Sequence, residues 1–142
     1  MLLPMLLALS LSSPDVKSGA PIRKEFVWNK DGCGGMNRTP RLRWSAPPRG
    51  TRVFDLTVID HDAPKPGGWV HWIVIDIPGN ARAIGASVPR GAVVGKNDFG
   101  TLGWGGPCPP PGPAHHYTFV LQAVDANKRT LASAKLVPVY KR

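Results

Sequence analysis

Acidic side chains are scarce in this chain of 142 residues. Nine Asp and Glu stand against 18 Lys and Arg, which gives a formal net charge of +9. A basic surface favours anionic partners such as phosphates, nucleic acids or acidic lipids. The basic residues are scattered, however, and no dense Lys/Arg run with interleaved aromatic residues occurs. We therefore favour a solvated basic surface and do not expect nucleic-acid binding.

The sequence also lacks any window with a convincing helical period, and any apolar run long enough to cross a membrane. Glycine and proline are instead abundant, with 16 of each, which is typical of many turns between short elements. A chain of this length can bury a core of its own. We predict an all-β sandwich or barrel that forms a single domain over residues 9–142.

Cysteine is nearly absent, because the chain contains only Cys33 and Cys108. Both lie in loops rich in glycine or proline, and they could pair in an oxidising compartment or stay reduced in a cytosol. The apolar start of the chain resembles a signal-peptide core but lacks a basic n-region. We interpret residues 1–8 as the remnant of an export signal, which favours a periplasmic or exported location over a cytoplasmic one.

Four segments have the composition and alternation of β-strands. They cover residues 53–59, 69–77, 116–124 and 131–140, and residues 9–12 alternate like a further first strand. The segment 69–77 is apolar on both faces, which predicts a central position in its sheet. Pro138 predicts an edge position for the last segment.

All four histidines lie in two short stretches that combine a stiff Pro/Gly turn with a strand-like run. Asp60 and Asp62 are two residues apart at a strand end, so an extended backbone points them the same way. His115 and Tyr117 have the same spacing at a strand start. Carboxylates close to imidazoles, such as His71, favour the protonated ring, which would attract an anion. The pattern therefore indicates a binding site at converging strand ends.

Each of these residues also has a purely structural interpretation. His71 in an apolar strand is more often a satisfied core histidine than a ligand, and Trp69 is more often part of a core. Asp60 and Asp62 could bond nearby backbone N–H groups in a turn. The functional interpretation gains weight because the candidate residues fall together.

Several uncommon motifs follow one another in a fixed order along nearly the whole chain. They are Asp60-x-Asp62-Ala63-Pro64, then His71-Trp72, then Asn97-Asp98-Phe99-Gly100, then Gly105-x-Pro107-Cys108-Pro109-Pro110-x-Gly112, and finally His115-x-Tyr117-x-Phe119. In order and spacing they resemble the phosphatidylethanolamine-binding protein family. The resemblance is closer to the bacterial branch of that family, the Raf-kinase-inhibitor-like proteins.

The resemblance implies a two-sheet antiparallel β-sandwich with a small pocket for phosphate-type anions, such as the phosphoethanolamine head group. The implied pocket residues are Asp60, Asp62, His71, His115 and Tyr117, with Pro109, Pro110 and Gly112 in one wall and Trp69 at the rim. It also implies a cis bond between Ala63 and Pro64. Family geometry brings Cys33 and Cys108 to the same end of the sandwich, so we predict a disulfide between them if the protein is exported.

Three of the departures from the family pattern bear most directly on the site and the fold. His61 replaces the usual proline between the two aspartates, and His116 replaces the usual arginine. Only Asn127-Lys128-Arg129 stands where the family carries a helical segment before its last strand, so that segment is missing here. Its loss predicts exposed apolar surface, and homodimerisation or marginal stability as a consequence.

We therefore expect a non-catalytic binding protein for a small phosphate-bearing anion, without a cofactor or a metal. One alternative is an interaction module that inhibits a kinase or another protein partner, which the resemblance allows but cannot specify. A second alternative is a hydrolase that uses Cys108 as its nucleophile or a metal held by His and Asp. No nucleophile elbow or zinc-hydrolase motif supports the second alternative.

Overall fold

The structure is a computed structural model that describes residues 8–142. The export-signal remnant predicted at residues 1–8 therefore lies outside the described residues, apart from Ala8. Residues 8–142 form nine β-strands and one 3-10 turn, Lys24–Phe26, without an α-helix. No helix in this range has the length and apolar character needed to cross a membrane. The strands are β1 (Leu11–Ser12), β2 (Leu42–Trp44), β3 (Val53–Asp60), β4 (Trp69–Pro78), β5 (Ala83–Ile84), β6 (Val93–Val94), β7 (His115–Val124), β8 (Thr130–Leu136) and β9 (Val139–Tyr140).

The strands form two antiparallel sheets. The small sheet has the order β1-β2-β5, and the large sheet has the order β6-β4-β3-β7-β8, with β9 paired to β7. Buried apolar residues from both sheets belong to one continuous core, which includes Leu42 and Ile84 of the small sheet and Phe54 and Phe119 of the large one. This arrangement confirms the predicted two-sheet antiparallel β-sandwich.

The centre of the large sheet is β3, so the prediction that the segment 69–77 is central was wrong. On its far side β4 pairs only with the two-residue strand β6. The loop 95–105 continues along that edge, because its N–H groups at Gly95, Asp98 and Gly105 donate to backbone carbonyls of β4. This loop therefore covers the edge of β4, and Trp72, Val74 and Ile77 of β4 are buried in the core.

Strand β3 shows why the site forms where it does. Its residues alternate between half-buried and buried along its whole length, and Phe54, Leu56 and Val58 are fully buried. The same alternation continues to Asp60, which is 3% exposed. A period of two therefore carries a carboxylate onto the core side of the sheet. The core ends there, and a polar site begins.

A tight turn joins β7 to β8 at the place where the family resemblance predicts a missing helical segment. The Asp125 carboxylate accepts the backbone N–H groups of Asn127 and Arg129, and Lys128 adopts a positive φ of 63°. The strand predicted over residues 131–140 is divided into β8 and β9 at Val137 and Pro138. Both parts pair with β7, and β8 lies at the edge of the sheet, as Pro138 predicted.

Candidate functional site

A cavity of about 370 Å³ opens where β3 ends and where β4 and β7 begin. Antiparallel pairing brings these three ends together, since Asp60 lies opposite both Trp69 and Tyr117. The residues that line the cavity are Asp31, Asp60, Ala63, Pro64, Trp69, His71, Phe99, Cys108, Pro109, Pro110, His115, Tyr117 and Arg142. The cavity therefore joins seven of the nine residues that we predicted to bind a ligand.

Asp60 is engaged through both of its carboxylate oxygens. One accepts the backbone N–H of Asp62 at 2.9 Å, and the other lies 2.6 Å from Nδ1 of His115. A carboxylate accepts, so Nδ1 of His115 donates this bond. The pairing fixes the His115 ring and leaves its Nε2 atom without a protein partner among the described residues. Asp60 therefore acts here as the residue that orients His115.

His71 is buried in the wall of the cavity, with 3% of its surface exposed. Its Nδ1 atom lies 2.6 Å from the carbonyl oxygen of Gly105, and the Gly105 N–H in turn donates to the His71 carbonyl at 2.8 Å. Burial lowers the pKa of His71, and this effect exceeds the opposing influence of the Gly105 carbonyl and of Asp60. The expectation that nearby carboxylates keep this ring protonated is wrong for His71, because desolvation dominates.

Two hydrogen-bond donors in the cavity wall have no acceptor. The Nε1–H of Trp69 and the hydroxyl of Tyr117 are both buried and lack a partner among residues 8–142. Burial, followed by the charges of Asp60 and Asp62, raises the pKa of Tyr117 well above its ordinary value of 10.0, so the hydroxyl stays protonated. Buried polar groups without a partner are rare in native proteins and call for an explanation.

Phe99 completes an aromatic wall that the sequence pattern did not reveal. Its ring stacks on Trp28 at a centroid distance of 3.9 Å and meets Trp69 and His71 edge-on at 5.3 and 5.7 Å. The loop that carries it is held by Asn97, whose side-chain oxygen accepts the Phe99 N–H at 3.0 Å. The motif at residues 97–100 was the available signal, although it indicated only the family and not this contact.

The comparisons with known proteins agree with this geometry. The family model described as phosphatidylethanolamine-binding protein matches residues 12–140. The chain belongs to the phosphatidylethanolamine-binding protein family. The resemblance seen in the sequence motifs is thus confirmed.

Bacterial members of the phosphatidylethanolamine-binding protein family are close relatives. The Escherichia coli K12 protein YbcL, called a UPF0098 protein, is 38% identical over 160 aligned residues, covering 94% of this chain and 87% of the relative. The E. coli K12 protein YbhB, also a UPF0098 protein, is 34% identical over 127 residues, covering 84% of this chain and 80% of the relative. The crystal structure of YbcL, a new member of the mammalian family, superimposes with a TM-score of 0.89 at 35% identity and covers 96% of this chain and 99% of that one.

The alignment with YbcL also bears on the shortened end of the sandwich. Its 160 positions exceed the 142 residues of the chain, so the relative carries segments that are absent here. The tight turn between β7 and β8 is consistent with one such loss. The fold nevertheless matches that of the relative over almost its whole length.

A disulfide between Cys33 and Cys108 closes one side of the cavity. Their Cα atoms are 5.6 Å apart, and 75 positions separate them in the sequence. Pro109 and Pro110 follow directly and line the cavity. In the disulfide Cys108 has no thiol, so the structure lends no support to its use as a nucleophile. No cluster of three or more His, Cys, Asp or Glu suited to a metal ion occurs in the part of the chain that the structure describes.

Asp62 and Gly112 are the two predicted site residues that do not line the cavity. The Asp62 carboxylate accepts the backbone N–H of His116 and contacts its Nδ1, both at 2.8 Å, and its side chain is 45% exposed. Asp62 therefore fixes the start of β7 from outside the cavity.

The bond between Ala63 and Pro64 is trans, so the prediction of a cis bond was wrong. Trans is the lower-energy form even before proline.

Arg142 and Asp31 at the cavity mouth were missed by sequence reasoning. The guanidinium of Arg142 contacts the backbone carbonyl of Asp31 at 3.4 Å. These two residues are 111 positions apart, and neither belongs to a recognisable motif. Only the folded chain brings this cation to the cavity.

Proposed function

We propose that the cavity binds a phosphate-type anion, free or as a phosphorylated head group such as phosphoethanolamine, and that the protein is a non-catalytic binding protein. The observation that carries this proposal is the pair of orphaned donors, Trp69 Nε1–H and Tyr117 O–H, in the wall of one cavity. A bound oxyanion supplies the acceptors that these groups lack. Hydrogen bonds to a charged partner are stronger than those between neutral groups. Binding of the anion therefore offsets the unfavourable free energy of burying these two donors without acceptors.

The size of the cavity and the net charge of the chain support an anion of this class. A volume of about 370 Å³ lies near the lower end for ligand pockets, which suits a head group better than a whole lipid. Arg142 lies at the mouth, and the chain carries a formal charge of +9, so the surrounding field attracts anions. The family description names phosphatidylethanolamine, whose head group, as free phosphoethanolamine, is a phosphate monoester.

The test is thermal unfolding with phosphoethanolamine, with ethanolamine as the matched control that lacks the phosphate. At a concentration of one hundred times Kd, the ligand adds roughly 2.7 kcal/mol of stability. For a chain of this size we expect a rise in Tm of about 8–10 °C. Ethanolamine should cause no rise. Trp69→Phe keeps an aromatic ring but removes the Nε1–H donor, so its Tm should respond less to phosphoethanolamine.

A cooperative melt that phosphoethanolamine does not shift would refute the proposed anion site and direct attention to protein partners. Equal shifts with both compounds would show recognition of the ammonium group instead. Absence of a cooperative melt would mean that the shortened sandwich is not stable, and inference from the family would then end.

A further inference from the structure

We infer that the cavity selects oxyanions that still carry a proton, namely inorganic phosphate and phosphate-monoester monoanions, over anions without one, such as sulfate. The inference rests on the proposed function and specifies the ligand class of the same site. It follows from an acceptor that the structure builds among the donors: the Nε2 atom of His71.

The tautomer of His71 is determined by its backbone partner. The carbonyl oxygen of Gly105 can only accept a hydrogen bond, so Nδ1 of His71 must carry a proton to make the 2.6 Å contact. In a neutral imidazole the other nitrogen then has a lone pair and no proton. Nε2 has no protein partner among the described residues, although the ring lines the cavity. The free atom of His71 therefore accepts and does not donate.

The surroundings of the ring oppose a positive charge. His71 is in contact with the edges or faces of three aromatic rings, those of Phe99, Trp104 and Tyr117, at centroid distances of 5.7, 6.5 and 5.1 Å. Water is nearly excluded, since the residue is 3% exposed. An apolar shell of this kind favours the neutral ring.

The charged groups around His71 are compensated by other partners. On β3, the Asp60 carboxylate is occupied by His115 of β7 and by a backbone N–H. In the loop beside β4, Asp98 forms an ion pair with Lys65 at 2.8 Å. The remaining titratable neighbour on β7, Tyr117, is a neutral donor. Asp31 and Arg142, of opposite charge, also line the cavity. Asp60 and Asp98 still favour the charged ring, but burial of His71 outweighs both.

Donors and ring acceptors that share one cavity distinguish ligands by protonation. Trp69 and Tyr117 supply the donors, and Nε2 of His71 is the acceptor that burial favours. His115, whose Nδ1 donates to Asp60, has the other free Nε2 atom in the cavity. A ligand that lacks a proton fills the donors but leaves a lone pair facing one of its own oxygens, which is unfavourable in a buried site. Sulfate carries no proton at neutral pH. Inorganic phosphate keeps at least one throughout the neutral range, whereas a phosphate monoester loses its last proton with a pKa of about 6.

The test is isothermal titration of the full chain with inorganic phosphate, phosphoethanolamine and sulfate between about pH 5.5 and 8. At pH 7 we expect inorganic phosphate to bind about 10- to 100-fold more tightly than sulfate. Above the ligand pKa, the affinity for phosphoethanolamine should fall by roughly tenfold per pH unit, because one proton is taken up on binding. Inorganic phosphate should lose much less over the same range. Titration of a protein histidine would instead weaken all three anions together.

Two variants assign the effect to His71. His71→Asn places an amide N–H near the position of Nδ1, so the bond to Gly105 can persist while the Nε2 acceptor is lost. We expect the phosphate-to-sulfate ratio to fall by about threefold or more, since the His71 acceptor is gone. The matched control is His116→Asn, which changes an exposed histidine outside the cavity and should leave the ratio unchanged.

Equal affinity of the native chain for phosphate and sulfate would overturn the inference but leave the proposed anion site intact. Binding of neither anion nor phosphoethanolamine would overturn both. A ratio that survives in a folded His71→Asn variant would overturn the role of Nε2. The comparison of phosphate with sulfate binding to the native chain tests the inferred selectivity even if the His71→Asn variant does not fold.

Discussion

Replacing Tyr117 by phenylalanine should make the empty protein more stable and, at the same time, weaken its binding of phosphate. Tyr117 is fully buried and its hydroxyl has no partner among the described residues. An unsatisfied buried polar group costs about 1–3 kcal/mol. Phenylalanine keeps the ring contacts with His71 and removes that cost. We expect a gain of about 1 kcal/mol in the free energy of unfolding, equivalent to a rise in Tm of about 3 °C.

Tyr117→Phe should weaken phosphate binding, although it stabilises the empty protein. A hydrogen bond to a charged group contributes about 1.5–3 kcal/mol, so its loss should weaken phosphate binding by about 10- to 100-fold. Calorimetric melting of the ligand-free protein and titration with inorganic phosphate measure the two effects separately. Tyr140→Phe is the matched control, because Tyr140 is half-buried and does not line the cavity.

Loss of stability in Tyr117→Phe would show that the hydroxyl has a structural partner and is not held for a ligand. Unchanged phosphate affinity in a well-folded variant would show that no anion contacts this hydroxyl. Either result would refute the reasoning from orphaned donors.

Two further predictions concern stability away from the ligand. Replacing both Cys33 and Cys108 by serine should lower the free energy of unfolding by about 4 kcal/mol, because the bridge spans 75 positions and restricts the unfolded chain. Urea unfolding with and without reductant measures this loss of stability. A loss below about 1 kcal/mol would contradict the prediction. The side-chain hydrogen bond from Arg41 is the main cause that holds the pKa of Asp15 below its ordinary value of 3.8. This contribution to stability is complete above pH 3.8 and is lost as the pH falls through the lowered pKa, so Asp15→Asn should be less stable at neutral pH and the difference should shrink on acidification. A difference that is constant in pH-dependent melts would contradict that assignment.

Much of the fold could be predicted because strand signals are local. The alternation predicted a strand over residues 53–59, and the structure buries Phe54, Leu56 and Val58 of that strand in one row that continues to Asp60. Turn residues marked the strand ends where the cavity lies. The order of β-strands in a sheet depends on long-range pairing, however, so the apolar strand β4 was assigned to the centre, which belongs to β3.

The site divides in the same way between local and non-local causes. Residues within two short motifs, such as Asp60, His71 and Tyr117, could be predicted because strand ends with fixed spacing place them. Arg142 could not be predicted, because its position depends on the pairing of β9 with β7 and on a contact with Asp31, 111 positions away. Asp62 has the spacing of a site residue, yet it bonds His116 outside the cavity.

The sequence by itself determined that the chain builds a β-sandwich of the phosphatidylethanolamine-binding protein family, with histidines and carboxylates at neighbouring strand ends. Periodicity and motif order are properties of the sequence, so they can be recognised without knowledge of how the chain packs. Only the tertiary structure decided the chemistry of the site. Burial lowers the pKa of His71 and so favours its neutral form, and the Gly105 carbonyl selects its tautomer. Enclosure leaves Trp69 and Tyr117 without acceptors among residues 8–142. Desolvation depends on everything that surrounds a group, and no local pattern of residues encodes it.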